Sequence, residues 1–291
     1  MYQPYKNFFN CVDFSDGKLI IRIKQSADTD MLTNDKDNDN YNGDLCLSNK
    51  KSKTEHHYYI HRVVLASHSE YFRSKFLRWS ENNVVFFDVK DVHELEIVEC
   101  VIRCFYNGPA YINSVTVGLF RMLKICDILI SPLIFNHITS QIPLVCTNVT
   151  VDDFKTYYNT SSTLRNSNCH STGEFMRKKL CEMFGGDVLL KTRSLLMEFV
   201  TLPLDAVLAL YEKNAQDYGC SLSSENTVLI AIMIWVQNKQ CSNEEIQSLK
   251  RIIRVLHLTS TFIEQILPQI KWFNFTPLQK HLMLGYKRIQ Y

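Results

Sequence analysis

Between His61 and Glu81 the chain reads HRVVLASHSEYFRSKFLRWSE, where the apolar end of a strand, YYIHRVV (Tyr58 to Val64), runs directly into an amphipathic helix. Ser67 stands three residues before Glu70, the spacing of a capping box, in which hydroxyl and carboxylate satisfy the amide donors that a helix start leaves open. A helix is therefore predicted from near His68. Tyr71, Phe72, Phe76 and Leu77 recur at helical spacing on its apolar side, and Arg73, Lys75 and Arg78 fall largely opposite. Trp79, Ser80 and Glu81 are left in the loop that follows, an aromatic residue beside an acid, which suits protein docking better than catalysis.

Around this unit the chain has room for two ordinary domains, with 291 residues and 46% hydrophobic content. A formal net charge of +2 gives no strong electrostatic grip on nucleic acid or an anionic membrane, so neither is an expected partner. The ten cysteines occur in a chain whose start, MYQPYKNFFN, has neither a basic leader nor an apolar run. A reducing cytoplasmic or nuclear location is the expectation. The longest apolar run, TVLIAIMIWV, is about half of the roughly 18 to 20 residues a membrane helix needs.

Strands are predicted at GKLIIRI (Gly17 to Ile23) and VVFFDV (Val84 to Val89). The segment between GKLIIRI and YYIHRVV, about 25–54, is polar, with six aspartates against one lysine between Asp28 and Asp44. It cannot build a core and reads as an insertion at a hairpin tip, where added length costs little free energy. DKDNDNYNGD (Asp35 to Asp44) is rich in oxygen ligands, but lacks the closing glutamate and flanking helices of an EF-hand. A helix from about Glu94 ends at NGP (Asn107 to Pro109), an extended piece follows at Tyr111 and Ile112, and a further helix spans Val115 to Leu129. Pro132 opens the next helix and Pro143 closes it. Asn159 to Thr172 is rich in serine, threonine and asparagine and reads as a boundary or long loop. Beyond it the pattern is helical, near Gly173–Phe184, Asp187–Phe199, Pro203–Tyr211, Ser224–Asn238, Glu244–Val255 and Ser260–Leu267.

No nucleotide-binding, acyl-transfer or zinc-protease signature occurs. No catalytic residue, cofactor or metal is expected. Cys100 and Cys104 lie one helical turn apart, where buried core thiols are favoured over metal ligands. His57 and His61 are four apart with no acid or thiol fixed beside them, and the cluster of His56, His57 and His61 is read as structural or surface residues.

His61, Val64, Leu65, Ala66, Ser69, Tyr71, Phe72 and Phe76 fill the pattern H-x-x-V-L-A-x-x-S-x-Y-F-x-x-x-F, and here the chain resembles the BTB/POZ family. VVFFDV, CFYNGPAYI (Cys104 to Ile112) and FRMLKICDIL (Phe120 to Leu129) continue the resemblance in order. The later SSENTVLIAIMIWV (Ser223 to Val236), with FVTLPLDAVLALY (Phe199 to Tyr211) before it, resembles the BACK domain that often follows BTB. The fold class expected is α+β: a tail over 1–10, a BTB/POZ-like α/β domain over 11–142, an all-α BACK-like domain over 149–272, and a tail over 273–291. No kelch or ankyrin array or zinc finger is recognisable.

The resemblance implies a noncatalytic adaptor that links a substrate protein to a cullin-3 ubiquitin ligase, none of its residues forming a ubiquitin thioester. Trp79, Ser80 and Glu81, just after Phe76, match the apolar-x-acid loop that helps many BTB adaptors engage cullin-3. In the alternative, Trp79 folds back over the apolar end of its helix. A second functional reading is a BTB-mediated scaffold or self-associating protein without cullin binding, acting in transcriptional regulation. Tyr5, Phe8 and Phe9 offer a homodimer contact or an intramolecular one, in a segment too short and too poor in helix signals for a swapped dimer.

Overall fold

The computed structural model describes residues 5, 8–24, 54–78, 83–114, 118–166, 170–186, 188–211 and 224–273. They divide into two compact units, Met1–Ile138 and Thr139–Tyr291. The first is α+β and the second is helical.

The sheet of the first unit is built on β1 (Gly17–Ile23), with antiparallel β2 (Glu55–Ile60) on one side and parallel β3 (Val84–Val89) on the other. Leu19, Ile21, Val85, Phe87 and Val89 alternate onto the buried face, as period-two strands require. On the other face Arg22 pairs with Asp88 (2.8 Å) and lies over the Phe86 ring. The parallel β1–β3 pair needs a crossover. It is supplied by β2, α1 (Arg62–His68) and α2 (Glu70–Arg78). The helix α3 (Val92–Asn107) packs on α1, β1 and β3, burying Val98, Val101, Ile102 and Phe105. Asp91 caps it, accepting from the Glu94 amide at 2.8 Å. Then come α4 (Leu119–Ile128) and α5 (Pro132–Val145).

Several local expectations are corrected. The strand predicted over Tyr58–Val64 stops at Ile60, because its ladder with β1 ends at the Gly17–Ile60 pair. The next amides find other acceptors: His61 N–H donates to the Tyr106 hydroxyl (2.9 Å) and Arg62 N–H to Asp16 (2.7 Å). Ser67 is not a cap; it lies inside α1 and its hydroxyl donates back to the Val64 carbonyl (2.8 Å). Ser69 caps α2, accepting from the Phe72 amide (3.3 Å), while Glu70 pairs with Arg73 instead. Leu77 is 80% exposed, so the inward face of α2 narrows to buried Phe72 with half-buried Tyr71 and Phe76. Lys75 is half-buried across the Tyr71 ring rather than wholly opposite. Tyr111 and Ile112 belong to a 3-10 turn, Pro109–Ser114, set by Gly108 at φ 84°, where a left-handed backbone favours glycine.

Pro143 lies within α5 rather than closing it. A proline leaves the carbonyl four residues earlier without its helical donor. Here that carbonyl, on Thr139, accepts the Thr172 hydroxyl at 2.6 Å, so the helix runs on to Val145.

In the second unit α6 (Val151–Asn159) starts from a capping box of Thr150 and Asp153. The stretch read as a loop contains α7 (Ser162–Asn166) and the start of α8 (His170–Phe184). The helix predicted over Asp187–Phe199 is two, α9 (Val188–Lys191) and α10 (Arg193–Phe199), broken where Thr192 takes an extended backbone. There follow α11 (Leu204–Tyr211), α12 (Glu225–Gln237) and α13 (Asn243–Ile252). The segment predicted as a helix over Ser260–Leu267 is mainly a π-turn, Phe262–Ile266, running into a 3-10 turn. Ser224 caps α12 as expected. Buried Glu225 accepts from the Arg254 amide (2.6 Å), and the Trp235 indole donates to the Leu202 carbonyl (3.1 Å). Cys181 is disulfide-bonded. Among the described residues no single helix is long and apolar enough to cross a membrane.

Ser69→Ala removes a buried hydroxyl that caps α2 and also donates to the Leu129 carbonyl. It should lower unfolding free energy by about 1–3 kcal/mol in urea denaturation. Ser67→Ala should cost less than about 0.5 kcal/mol, a ranking opposite to the one expected from sequence.

Candidate protein-docking face

The α2 helix is held at both ends. Its first amides have no intrahelical acceptor, and the turn after α4 supplies them: Glu70 N–H donates to the Ile130 carbonyl (3.3 Å) and Tyr71 N–H to that of Leu129 (3.4 Å). The Ser69 hydroxyl also donates to Leu129, at 2.5 Å. To offer these carbonyls the chain turns sharply, with Ile130 at φ 48°. A β-branched residue there costs on the order of 1–3 kcal/mol. The same turn leaves Ile130 47% and Leu133 52% exposed, with exposed Ile128 beside them.

At the other end Phe76 stacks on Phe72, centroids 6.1 Å apart, and carries the Arg62 guanidinium over its ring at 5.1 Å. Arg62 donates from Nη2 to the Phe76 carbonyl (3.3 Å) and from Nη1 to the Asn83 side chain (3.2 Å). One side chain thus bridges the two stems of the segment that carries Trp79, Ser80 and Glu81. Those three residues lie outside the described residues. Phe76 is a half-buried support, and exposed Leu77 is its apolar neighbour toward solvent.

The aromatic residues near the N-terminus take different positions. Phe8 packs on His61 (5.5 Å) and Phe14 (6.2 Å). Phe9 meets Tyr106 (5.6 Å), Tyr58 (6.0 Å) and the Arg103 guanidinium (4.4 Å). Tyr5 remains exposed, and Phe14, which sequence reading passed over, is 86% exposed at φ 59°.

His56, His57 and His61 do not converge on one point. His56 and His57 are successive residues of a strand and face opposite ways. His57 lies near Glu55, and buried His61 faces Tyr106 and the Asp13 carbonyl. Among the described residues no cluster of three metal-ligating side chains occurs. Cys100, Cys104 and Cys126 are buried, and a hydrogen bond to Cys100, together with burial, pushes the Cys104 thiol up and keeps it neutral. They fill the core beside α3.

Arg62, Ile130 and Leu133 were missed from sequence. Arg62 was read as part of a strand, and nothing in ILISPL (Ile128 to Leu133) signals a left-handed turn, because glycine is absent from it.

Residues 41–142 match the BTB/POZ domain family. No curated protein matches the chain at a significant level. The chain therefore carries a BTB/POZ domain over that span. BTB/POZ domains are in general interaction modules, and the domain supports a protein-interaction role, as adaptor or scaffold, for the chain. The matched span begins within the long segment between β1 and β2, yet β1 is hydrogen-bonded to both other strands.

The aromatic cluster behind this face has a pH signature. Burial pushes the Tyr106 phenol up to about 12, and burial with the Glu99 carboxylate does the same for Tyr58. Both folded values exceed the unfolded value of about 10, so the stability they contribute is intact below about pH 10 and lost as pH rises through about 12. Urea midpoints should fall across that window, and less steeply in Tyr106→Phe.

Proposed function

We propose that the protein is a noncatalytic adaptor of a cullin-3 ubiquitin ligase, its BTB/POZ half docking the scaffold and its BACK-like helical half serving a recruited substrate. The observation that carries this reading is the way α2 is pinned. Its N-terminus is tied to a strained turn that exposes Ile130 and Leu133, and its C-terminal stem is bridged by Arg62. Backbone strain retained at an exposed, apolar, β-branched residue is unfavourable for stability alone and is the kind of feature maintained for contact. The Trp79-Ser80-Glu81 segment extends the same face in sequence, and a rigid indole entering a helix-lined pocket is worth about 2 kcal/mol or more as a binding hot spot. The BACK-like assignment is supported by Glu225 and Trp235, motif residues that both clamp the helical unit.

A scaffold or self-association role without cullin binding is favoured by a different observation, the exposure of Tyr5 and Phe14 near the N-terminus.

Calorimetry of the purified chain against the amino-terminal region of cullin-3 tests the first reading. Wild type should bind, and the Trp79→Ala/Glu81→Ala variant should lose at least about tenfold, or about 1.4 kcal/mol. Ile130→Gly should bind more weakly while its melting temperature holds or rises, since glycine accepts the left-handed turn without strain. Absence of binding by folded wild type overturns the ligase reading in favour of the scaffold.

A further inference from the structure

The second unit contains a cleft of about 530 Å³ between the ends of α6, α11 and α12, with α7 and the start of α13 on its rim. This lies within the range of about 300–1,000 Å³ usual for ligand sites. Its floor is built. The Trp235 ring, anchored to the Leu202 carbonyl through its indole N–H, carries the Lys239 ammonium 5.7 Å from its centroid. Arg165 is fixed by an ion pair with Asp205 and a hydrogen bond to the Thr160 carbonyl (3.1 Å).

Two groups in this cleft have donors to spare. Tyr158 is only 7% exposed and lines the cleft, yet its hydroxyl has no hydrogen-bond partner among the described residues. The oxygen is not sealed in the core but open at the cleft, so it can reach a ligand there. Burial pushes this phenol up, so it is an O–H donor at neutral pH. Lys239 forms no ion pair with a carboxylate among the described residues and lies above the indole. Both groups call for an acceptor carrying negative charge.

The existing carboxylates limit how much charge. Asp205 and Glu245 line the same cleft and already balance Arg165 and Lys239 in formal charge. A single added negative charge is more easily accommodated than two, which disfavours a phosphate dianion and favours a carboxylate. The cleft lies at the surface with exposed Asn159, Ser162 and Gln240 on its rim, polar groups suited to the backbone of an extended peptide.

We infer that this cleft binds a peptide segment of a protein partner through an aspartate or glutamate side chain, which accepts from Tyr158 and pairs with Lys239. The inference needs only the second unit; that the partner is the recruited substrate rests on the adaptor reading above.

The test uses the full chain on an array of nine-residue peptides with randomised flanks and a central glutamate, glutamine or phosphoserine. The glutamate set should retain the protein at least about tenfold better than the glutamine set. Tyr158→Phe and Lys239→Gln should each weaken that retention several-fold. Tyr158→Phe should leave the melting temperature unchanged, because the hydroxyl removed is unpartnered, and Lys239→Gln should lower it only slightly, by the loss of its position over the Trp235 ring. Equal retention of glutamate and glutamine peptides, stronger retention of phosphoserine peptides, or undiminished binding by both variants overturns the inference. None of these outcomes depends on cullin-3 binding, so failure here and failure of the adaptor reading are separable.

Discussion

The carbonyl of Leu129 holds the start of α2 in place. It accepts the buried Ser69 hydroxyl and the Tyr71 amide, and so joins the start of α2 to a turn about sixty residues later in the chain. Without it the Tyr71 amide would stay open and the Ser69 hydroxyl unheld at the start of a helix of nine residues, and isolated helices of that length are marginal. Its position determines where Phe76 and the loop after it emerge. It also requires the Ile130 turn, since that conformation aims the carbonyls of Leu129 and Ile130 at α2. The proposed contact surface and the helix cap are therefore one structure.

The strands were legible because a strand records burial on alternate residues. GKLIIRI and VVFFDV carry that period, and both form over the residues predicted. The cap of α2 was misread because Ser67 and Ser69 are both serines ahead of an apolar run. Only the position of Leu129 distinguishes them, and that contact is far away in sequence. Pro143 misled for a related reason. Its local effect is to orphan a carbonyl, and whether a helix survives depends on a distant donor, in this chain Thr172. The fold class was therefore readable, while the Arg62 bridge and the Ile130 turn depend on tertiary hydrogen bonds that no local pattern announces. Trp79, Ser80 and Glu81 remain readings from sequence.

In the helical unit the residues carrying the family resemblance act as fasteners. Glu225 takes the Arg254 amide and also pairs with its guanidinium (3.3 Å), closing α12 onto the segment after α13. A buried carboxylate needs both kinds of partner to offset its desolvation. Trp235 is tied to Leu202 through its one N–H, which holds its ring beneath Lys239. The same indole is both packed core and the floor of a cleft.

The ladder between β1 and β2 runs from Gly17–Ile60 to Arg22–Glu55, and α1 and α2 follow from its Ile60 end. The long polar segment leaves and returns at the other end, where Ile23 N–H still donates to the Thr54 carbonyl (3.2 Å). Closing a longer loop between those fixed stems costs only about 0.6 kcal/mol for each doubling in length. The connection between β1 and β2 is thus a natural place for evolution to add recognition sequence, or for an experimenter to splice in a fluorescent reporter, while α1 and α2 keep their framework.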